Sequence, residues 1–326
     1  MEKTGEKGKI RWKQVLPAAA FVLLLLFLAA QSLYFYRELQ ALRQAQAVQE
    51  QDMADLGDAL GVSVSRSSLV TASWAGKTWV SYGDSITQMG GWQDYITEYF
   101  GFARHYERGL GSCTFIQSDQ IWYANPDGSY NSRYGFLGVT EAPEGTTAHE
   151  GYMCSTDRIT TSIPADADLI LVMAGTNDAG ITVSAPLGDL SYPFDETTFM
   201  GAVASTVVKL QEHAPDALIV LASPLSGRGP ETEDKKEQTA NQTEPEYNTL
   251  GLTTQDYANA IREVAEYLSI PYIDVFGTTG INSFNRNRYI GDIVHPNEEG
   301  QKAMARVIIG ALNNLKPVEK KEGAAP

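Results

Sequence analysis

Apolar residues fall into three regimes along the chain. The first is an uncharged run from Val15 to Tyr36, VLPAAAFVLLLLFLAAQSLYFY. A helix of that length spans a bilayer core of about 30 Å at about 1.5 Å per residue. In the second, Phe35, Leu39, Leu42, Met53, Leu56 and Leu60 recur at three- and four-residue spacing, with Gln46 and Gln49 on the same seam. That seam predicts either a short coiled coil with a polar middle, and so weak self-association, or a single amphipathic stalk helix. Gly57 and Gly61 weaken its end, and Val62–Ser68 reads as a linker. From Thr78 the third regime alternates short continuous apolar runs with helical periodicity. Thr78–Tyr82, Leu169–Met173, Leu218–Ala222 and Tyr272–Val275 predict buried strands, and His105–Glu107 a weaker one. Trp92–Phe100, Thr197–His213, Thr253–Leu268 and Glu298–Leu315 predict helices.

Continuous apolar strands alternating with helices predict an α/β class with a parallel sheet covered on both faces. The order suits a flavodoxin-like three-layer α/β/α sandwich, in which ligands bind beyond the strand C-termini. Two segments, 115–164 and 225–252, lack clear periodicity and read as long coverings or mobile loops. The chain then divides into a basic segment 1–14, a transmembrane signal anchor 15–36, a helical stalk and linker 37–77, the α/β domain 78–315 and a disordered tail 316–326.

Charge orients this arrangement. Lys3, Lys7, Lys9, Arg11 and Lys13 precede the apolar run against only Glu2 and Glu6. Such a flank stays in the cytoplasm and sends the domain out, which predicts a single-pass cell-membrane protein with its α/β domain extracytoplasmic. A cleaved signal peptide is the competing reading. Cleavage after Ala30 would put Leu28 where a small residue is preferred, and both readings export the domain. A net charge of −15 argues against nucleic acid as a partner. Cys113 and Cys154 are either a disulfide suited to an exported protein or two separate buried thiols. Neither has the company of metal ligands, and His149 nearby does not make a zinc site.

Three short motifs carry candidate chemistry, each at the end of an expected strand or just before the last helix. The first strand runs into Gly83-Asp84-Ser85-Ile86-Thr87, where a serine can stand exposed at the sheet edge. The third ends in Gly175-Thr176-Asn177-Asp178, whose side-chain amide can donate to a developing oxyanion. Asp292-Ile293-Val294-His295-Pro296 precedes the last helix. A serine nucleophile needs a base, and the base needs a carboxylate to fix its tautomer. Taken singly, each motif is as readily a turn or a helix cap.

Together, and in this order, the motifs resemble blocks one, three and five of the SGNH (GDSL-like) hydrolases. The resemblance covers roughly Thr78 to Leu315. It implies a serine esterase with Ser85 as nucleophile, His295 as base and then acid, Asp292 as its orienting carboxylate, and Asp84 as a structural residue. It implies an oxyanion hole from the Ser85 backbone N–H, the Asn177 side chain and a block-two backbone N–H, with no metal and no cofactor. Block two departs from the family pattern, reading Glu107-Arg108-Gly109-Leu110-Gly111-Ser112-Cys113-Thr114. A strict count puts Ser112 in the glycine slot, and Gly111 is taken as the donor with Ser112 as the alternative. The expected substrate is a small ester, above all an O-acetyl group on a cell-envelope or extracellular glycan. Lysophospholipase, lipid acyl hydrolase or thioesterase activity is the alternative within the family, and an inactive glycan-binding domain the alternative outside it. Tyr123, Tyr130, Tyr134 and Tyr152 could stack on a sugar face or pack the insertion down, and Trp92 could line the substrate site or start a helix. His105, His149 and His213 read as surface or structural.

Overall fold

The computed structural model describes residues 73–125 and 144–319, the backbone of Tyr130–Asn131, and the isolated positions Gln31 and Arg37. The expected anchor and stalk lie almost wholly outside the described residues, as does Tyr134. Among those described, no helix is long and apolar enough to cross a membrane. The elements below all lie in the unit Leu56–Pro326.

Five parallel strands build the main sheet: β1 (Thr78–Gly83), β2 (Arg104–Gly109), and, after three short strands in the insertion, β6 (Leu169–Met173), β7 (Leu218–Ala222) and β8 (Tyr272–Ile273). Their order is β2-β1-β6-β7-β8, with Trp79 opposite Leu169 and Leu169 opposite Leu218. Side chains alternate across a strand, so each strand feeds two cores. Val80, Tyr82, Ile170, Val172, Ile219 and Leu221 share one core with α3 (Thr156–Ser162), α4 (Phe199–His213) and α6 (Thr254–Leu268). Trp79, of opposite parity, meets Trp92 of α2 (Trp92–Phe100) edge-on at 6.2 Å and donates from its indole to Thr97. On that side α2 packs against α9 (Glu298–Leu312). Burial on both faces explains the uninterrupted Leu-Ile-Leu-Val-Met of β6. Each such side chain contributes roughly 1.5–3 kcal/mol when removed from water.

Local signals set the helix starts. Ser155 caps α3, Asn297 caps α9, and Thr253 with Asp256 forms a capping box on α6. The last strand stops at Ile273 instead of Val275, because the Asp274 side chain accepts from Gly277 N–H and starts the short α7 (Val275–Thr278). The domain also reaches back past Thr78. Trp74 is fully buried, and its indole N–H points at the Leu312 carbonyl of α9 at 3.4 Å.

The insertion has more order than its sequence suggests. It carries an antiparallel sheet of β3 (Ile121–Ala124), β4 (Tyr130–Asn131) and β5 (Thr147–Glu150), ordered β4-β3-β5, and helix α3. Strands of two to four residues are too short to display a period, so their pairing is invisible locally. Trp122 stacks on His149 across β3 and β5 at 5.0 Å. Tyr123 and Tyr152 are buried, which favours packing over stacking on a ligand. Trp92 is a buried helix-start residue. His105 is structural: it stacks on Trp79 at 4.2 Å, with Nε2 at 2.9 Å from the Ser81 hydroxyl. Cys113 and Cys154 are two separate buried thiols.

Candidate active site

β1 delivers the Ser85 loop to the C-terminal edge of the sheet. Gly83 is required there by close approach: a Cβ would stand 2.2 Å from the Met173 carbonyl of β6 and 2.2 Å from Thr87 Oγ1. Asp84 then caps α1 (Ser85–Gln88) by accepting the Ile86 N–H at 3.0 Å, which leaves Ser85 half-buried at the turn. The Gly83 carbonyl also gathers the Leu110 N–H at 3.0 Å and Arg158 Nη2 at 3.1 Å, joining block two and the insertion to β1.

The partners come from the far end of the chain. His295 Nε2 lies 2.8 Å from Ser85 Oγ, across 210 residues of sequence. His295 Nδ1 lies 2.8 Å from Asp292 Oδ2. The other carboxylate oxygen, Oδ1, accepts the N–H groups of Val294 at 2.9 Å and His295 at 2.8 Å. Arg286, fully buried, pins this loop from behind by donating to the carbonyls of Asp292 at 3.1 Å and Ile293 at 3.2 Å, and also to Gly227. Nothing in the sequence marks Arg286, because a lone arginine usually signals surface.

Electrostatics follow from these contacts. Burial pushes the Asp292 carboxyl up, but hydrogen bonds from the His295 side chain and from two backbone N–H groups outweigh it and hold it at about 2. Burial pushes the His295 imidazole down, and the bond to Asp292 with the charges of Asp292 and Asp84 overcomes it, so the net shift is upward. Asp84 is raised to about 6 by burial, offset in part by the Ile86 N–H and by His295. An ionised Asp292 favours the tautomer with hydrogen on Nδ1, leaving Nε2 to accept the serine proton.

Asn177 stands past the end of β6, buried, with its amide fixed at both ends. Nδ2 donates to the Cys113 carbonyl at 2.8 Å, and Oδ1 lies 3.1 Å from the Thr182 hydroxyl. One Nδ2 hydrogen is left over. Asp178 supplies a clamp that motif reading passes over: its carboxylate oxygens accept the Phe115 N–H at 3.0 Å and the Ile116 N–H at 3.3 Å, anchoring block two. Burial raises Asp178 to about 7, against the pull of those N–H groups.

In block two the left-handed conformation falls on Ser112, at φ 60°, and not on Gly111. The Cys113 N–H closes a turn onto the Leu110 carbonyl at 3.2 Å. Gly111 instead offers its carbonyl to Gln120 Nε2 at 2.6 Å. The left-handed geometry that favours glycine thus falls on Ser112, the residue that a strict count puts in the glycine slot. Arg158 likewise carries no signal in the sequence. Its guanidinium is buried over the Tyr82 ring at 4.6 Å and bonds the Gly151, Gly83 and Arg108 carbonyls. Among the described residues no group of three or more His, Cys, Asp or Glu side chains is placed to hold a metal ion.

The model of the GDSL-like lipase/acylhydrolase family matches residues 81–303, which takes in all three motifs. The chain belongs to this family. As a GDSL-like hydrolase it is a serine ester hydrolase. No curated protein matches it. A solved structure from Lactobacillus plantarum is 23% identical, covers 73% of this chain and 97% of its own, and superposes with a TM-score of 0.53. Another solved structure is 24% identical over 75% of this chain and 99% of its own, at a TM-score of 0.54. These two show the GDSL-like hydrolase's fold and nothing finer. A possible lipase from Chitinophaga pinensis is 17% identical over 72% of this chain and 96% of its own, with a TM-score of 0.47.

Proposed function

We propose that the chain is a membrane-anchored extracytoplasmic esterase that removes short acyl groups, chiefly O-acetyl, from cell-envelope or extracellular polysaccharide. The observation that carries the esterase mechanism is the continuous Ser85–His295–Asp292 hydrogen-bond chain, 2.8 Å at each link. Ser85 Oγ bonds to the acyl carbon as its proton passes to His295 Nε2. The ester C–O bond then breaks, and the departing alkoxide takes that proton from His295. Water attacks the acyl-enzyme, giving its proton to His295, and the acid leaves as Ser85 regains its hydrogen. Asp292 holds the tautomer and stabilises the imidazolium. The Ser85 and Ser112 N–H groups and the free Asn177 Nδ2 hydrogen are assigned to the oxyanion, with Ser112 in place of Gly111.

Support for the location is the basic flank and uncharged run in residues 1–36, with 37–77 as spacer and 316–326 as tail. Support for a short acyl group is the polar character of the loops around the motifs, which offer hydroxyl-bonding groups more readily than a hydrocarbon trough. A lipid acyl hydrolase is the second reading. Met89, Leu250 and Phe284, each more than half exposed, stand on connections that leave the C-terminal ends of β1, β7 and β8. Full-length chain in detergent, assayed by pH-stat on acetylated polysaccharide and on esters of rising acyl length, separates the readings. Hydrolysis that is fastest with acetyl and absent in Ser85→Ala is expected. Rates that climb steadily with acyl length would replace the glycan reading with the lipid one.

A further inference from the structure

The loops leaving β6 and β7 enclose an open cavity of about 280 Å³. Ser184 lines it from the first loop, and Arg228, Glu231, Glu246, Tyr247 and Asn248 from the second. Both walls belong to elements that hold the candidate catalytic groups. The Asn177 carbonyl accepts the N–H groups of Thr182 at 3.1 Å and Val183 at 3.0 Å, so the wall at Ser184 continues the turn that fixes Asn177. On the other side the Gly229 N–H donates to the Ile293 carbonyl at 2.7 Å, which sets Arg228 beside the loop of Asp292 and His295. Arg228 spans the two walls. Its guanidinium donates to the Ala179 carbonyl at 2.7 Å, to the Gly180 carbonyl at 3.3 Å and to Glu231 at 2.8 Å, and only 8% of the side chain is exposed.

We infer that this cavity is the subsite for the sugar unit on the alcohol side of the ester. The inference rests on the esterase reading above and names the part of the substrate that the cavity takes. The two halves of an acetylated sugar differ in chemistry. An acetyl group is small and largely apolar, and charged walls would cost it desolvation without return. A sugar ring presents hydroxyls that both donate and accept, and an apolar face. The cavity has a guanidinium to donate, two carboxylates to accept, one amide hydrogen left over on Asn248 Nδ2, and the exposed Tyr247 ring for the apolar face. Its volume lies near the lower end of small-molecule sites, roughly 300–1,000 Å³, which suits one sugar unit. Arg228, tied at three points, is pre-organised and loses little freedom on binding.

The test uses full-length chain in detergent and the variant Tyr247→Ala, at a residue that is 60% exposed and outside the buried core. Hydrolysis of ethyl acetate, whose alcohol is too small to fill the cavity, is compared with hydrolysis of acetylated xylo-, cello- and chito-oligosaccharides. Binding of the deacetylated oligosaccharides to Ser85→Ala is measured by calorimetry, with and without Tyr247→Ala. KM for the accepted acetylated oligosaccharide should rise at least tenfold in Tyr247→Ala, with kcat/KM on ethyl acetate within twofold of the parent. Binding to Ser85→Ala should weaken in parallel. Unchanged KM on the oligosaccharide, or equal losses on both esters, would overturn the subsite and leave the esterase standing. Tyr247-dependent oligosaccharide binding in a chain that cleaves no ester would overturn the esterase reading and leave the subsite. Ethyl acetate turnover with neither oligosaccharide hydrolysis nor binding would overturn the sugar assignment alone.

Discussion

Asp292→Asn tests the mechanism with little damage to the loop. Asp292 Oδ1 accepts two backbone N–H groups, at 2.9 Å and 2.8 Å, and an asparagine carbonyl can keep both. The change then falls on the other oxygen, 2.8 Å from His295 Nδ1, where an NH₂ would replace an acceptor. Two donors cannot face each other, so the imidazole takes the tautomer with hydrogen on Nε2. That nitrogen can no longer accept the Ser85 proton. The equivalent change in a serine protease triad lowers kcat by roughly 10⁴, or roughly 5 kcal/mol of transition-state stabilisation, and a loss of that order is expected here. The pH profile supplies a second reading. His295 is raised above its ordinary value because the Asp292 bond and charge outweigh burial. Removing that charge leaves burial dominant, so the acid limb of kcat/KM should move to lower pH in the variant. Stopped assays on a soluble ester between pH 4 and 9, with circular dichroism to check the fold, measure both effects. A folded Asp292→Asn retaining a tenth or more of parental kcat, with an unshifted acid limb, would refute the assigned roles.

Asn177→Ala should lower kcat by roughly 10²–10³ with a smaller change in KM if its free hydrogen serves the oxyanion; a change confined to KM would reassign it to binding. Ser112→Gly should keep activity and raise stability by up to about 1 kcal/mol, because it relieves the left-handed φ of 60°. Lost turnover in a folded Ser112→Gly chain would instead give the side chain a role. Stability should fall as pH rises from about 5 to 7.5. Asp84, Glu107 and Asp178 are raised by burial to about 6, 7 and 7, so the folded state binds protons there that the unfolded state has released. His105, lowered to about 4 chiefly by burial, opposes them below its unfolded value, as one group against three. Thermal melts at the two pH values decide it, and a higher Tm at pH 7.5 would show that these carboxylates do not govern the fold's response.

The parallel sheet was legible because its chemistry is local. A strand buried on both faces must be apolar throughout, and Leu169–Met173 and Leu218–Ala222 are. The candidate triad was legible for a related reason: serine, base and carboxylate sit in two short motifs, and parallel topology returns every strand end to one edge. Asp292 and His295 even make their contact within a single turn of chain. The rest depended on segments that meet only when folded. Whether Gly111 or Ser112 turns left-handed was set by Leu110 tied to the Gly83 carbonyl on one side and Asp178 clamping Phe115 on the other. Arg158 and Arg286 look like surface residues in sequence, and they become internal clamps because distant backbone carbonyls converge on them. The same holds for the cavity at Arg228, whose two walls lie about fifty residues apart in the chain. Composition and periodicity record what each residue needs from its neighbours in sequence; they carry no record of which unsatisfied carbonyl will arrive from elsewhere.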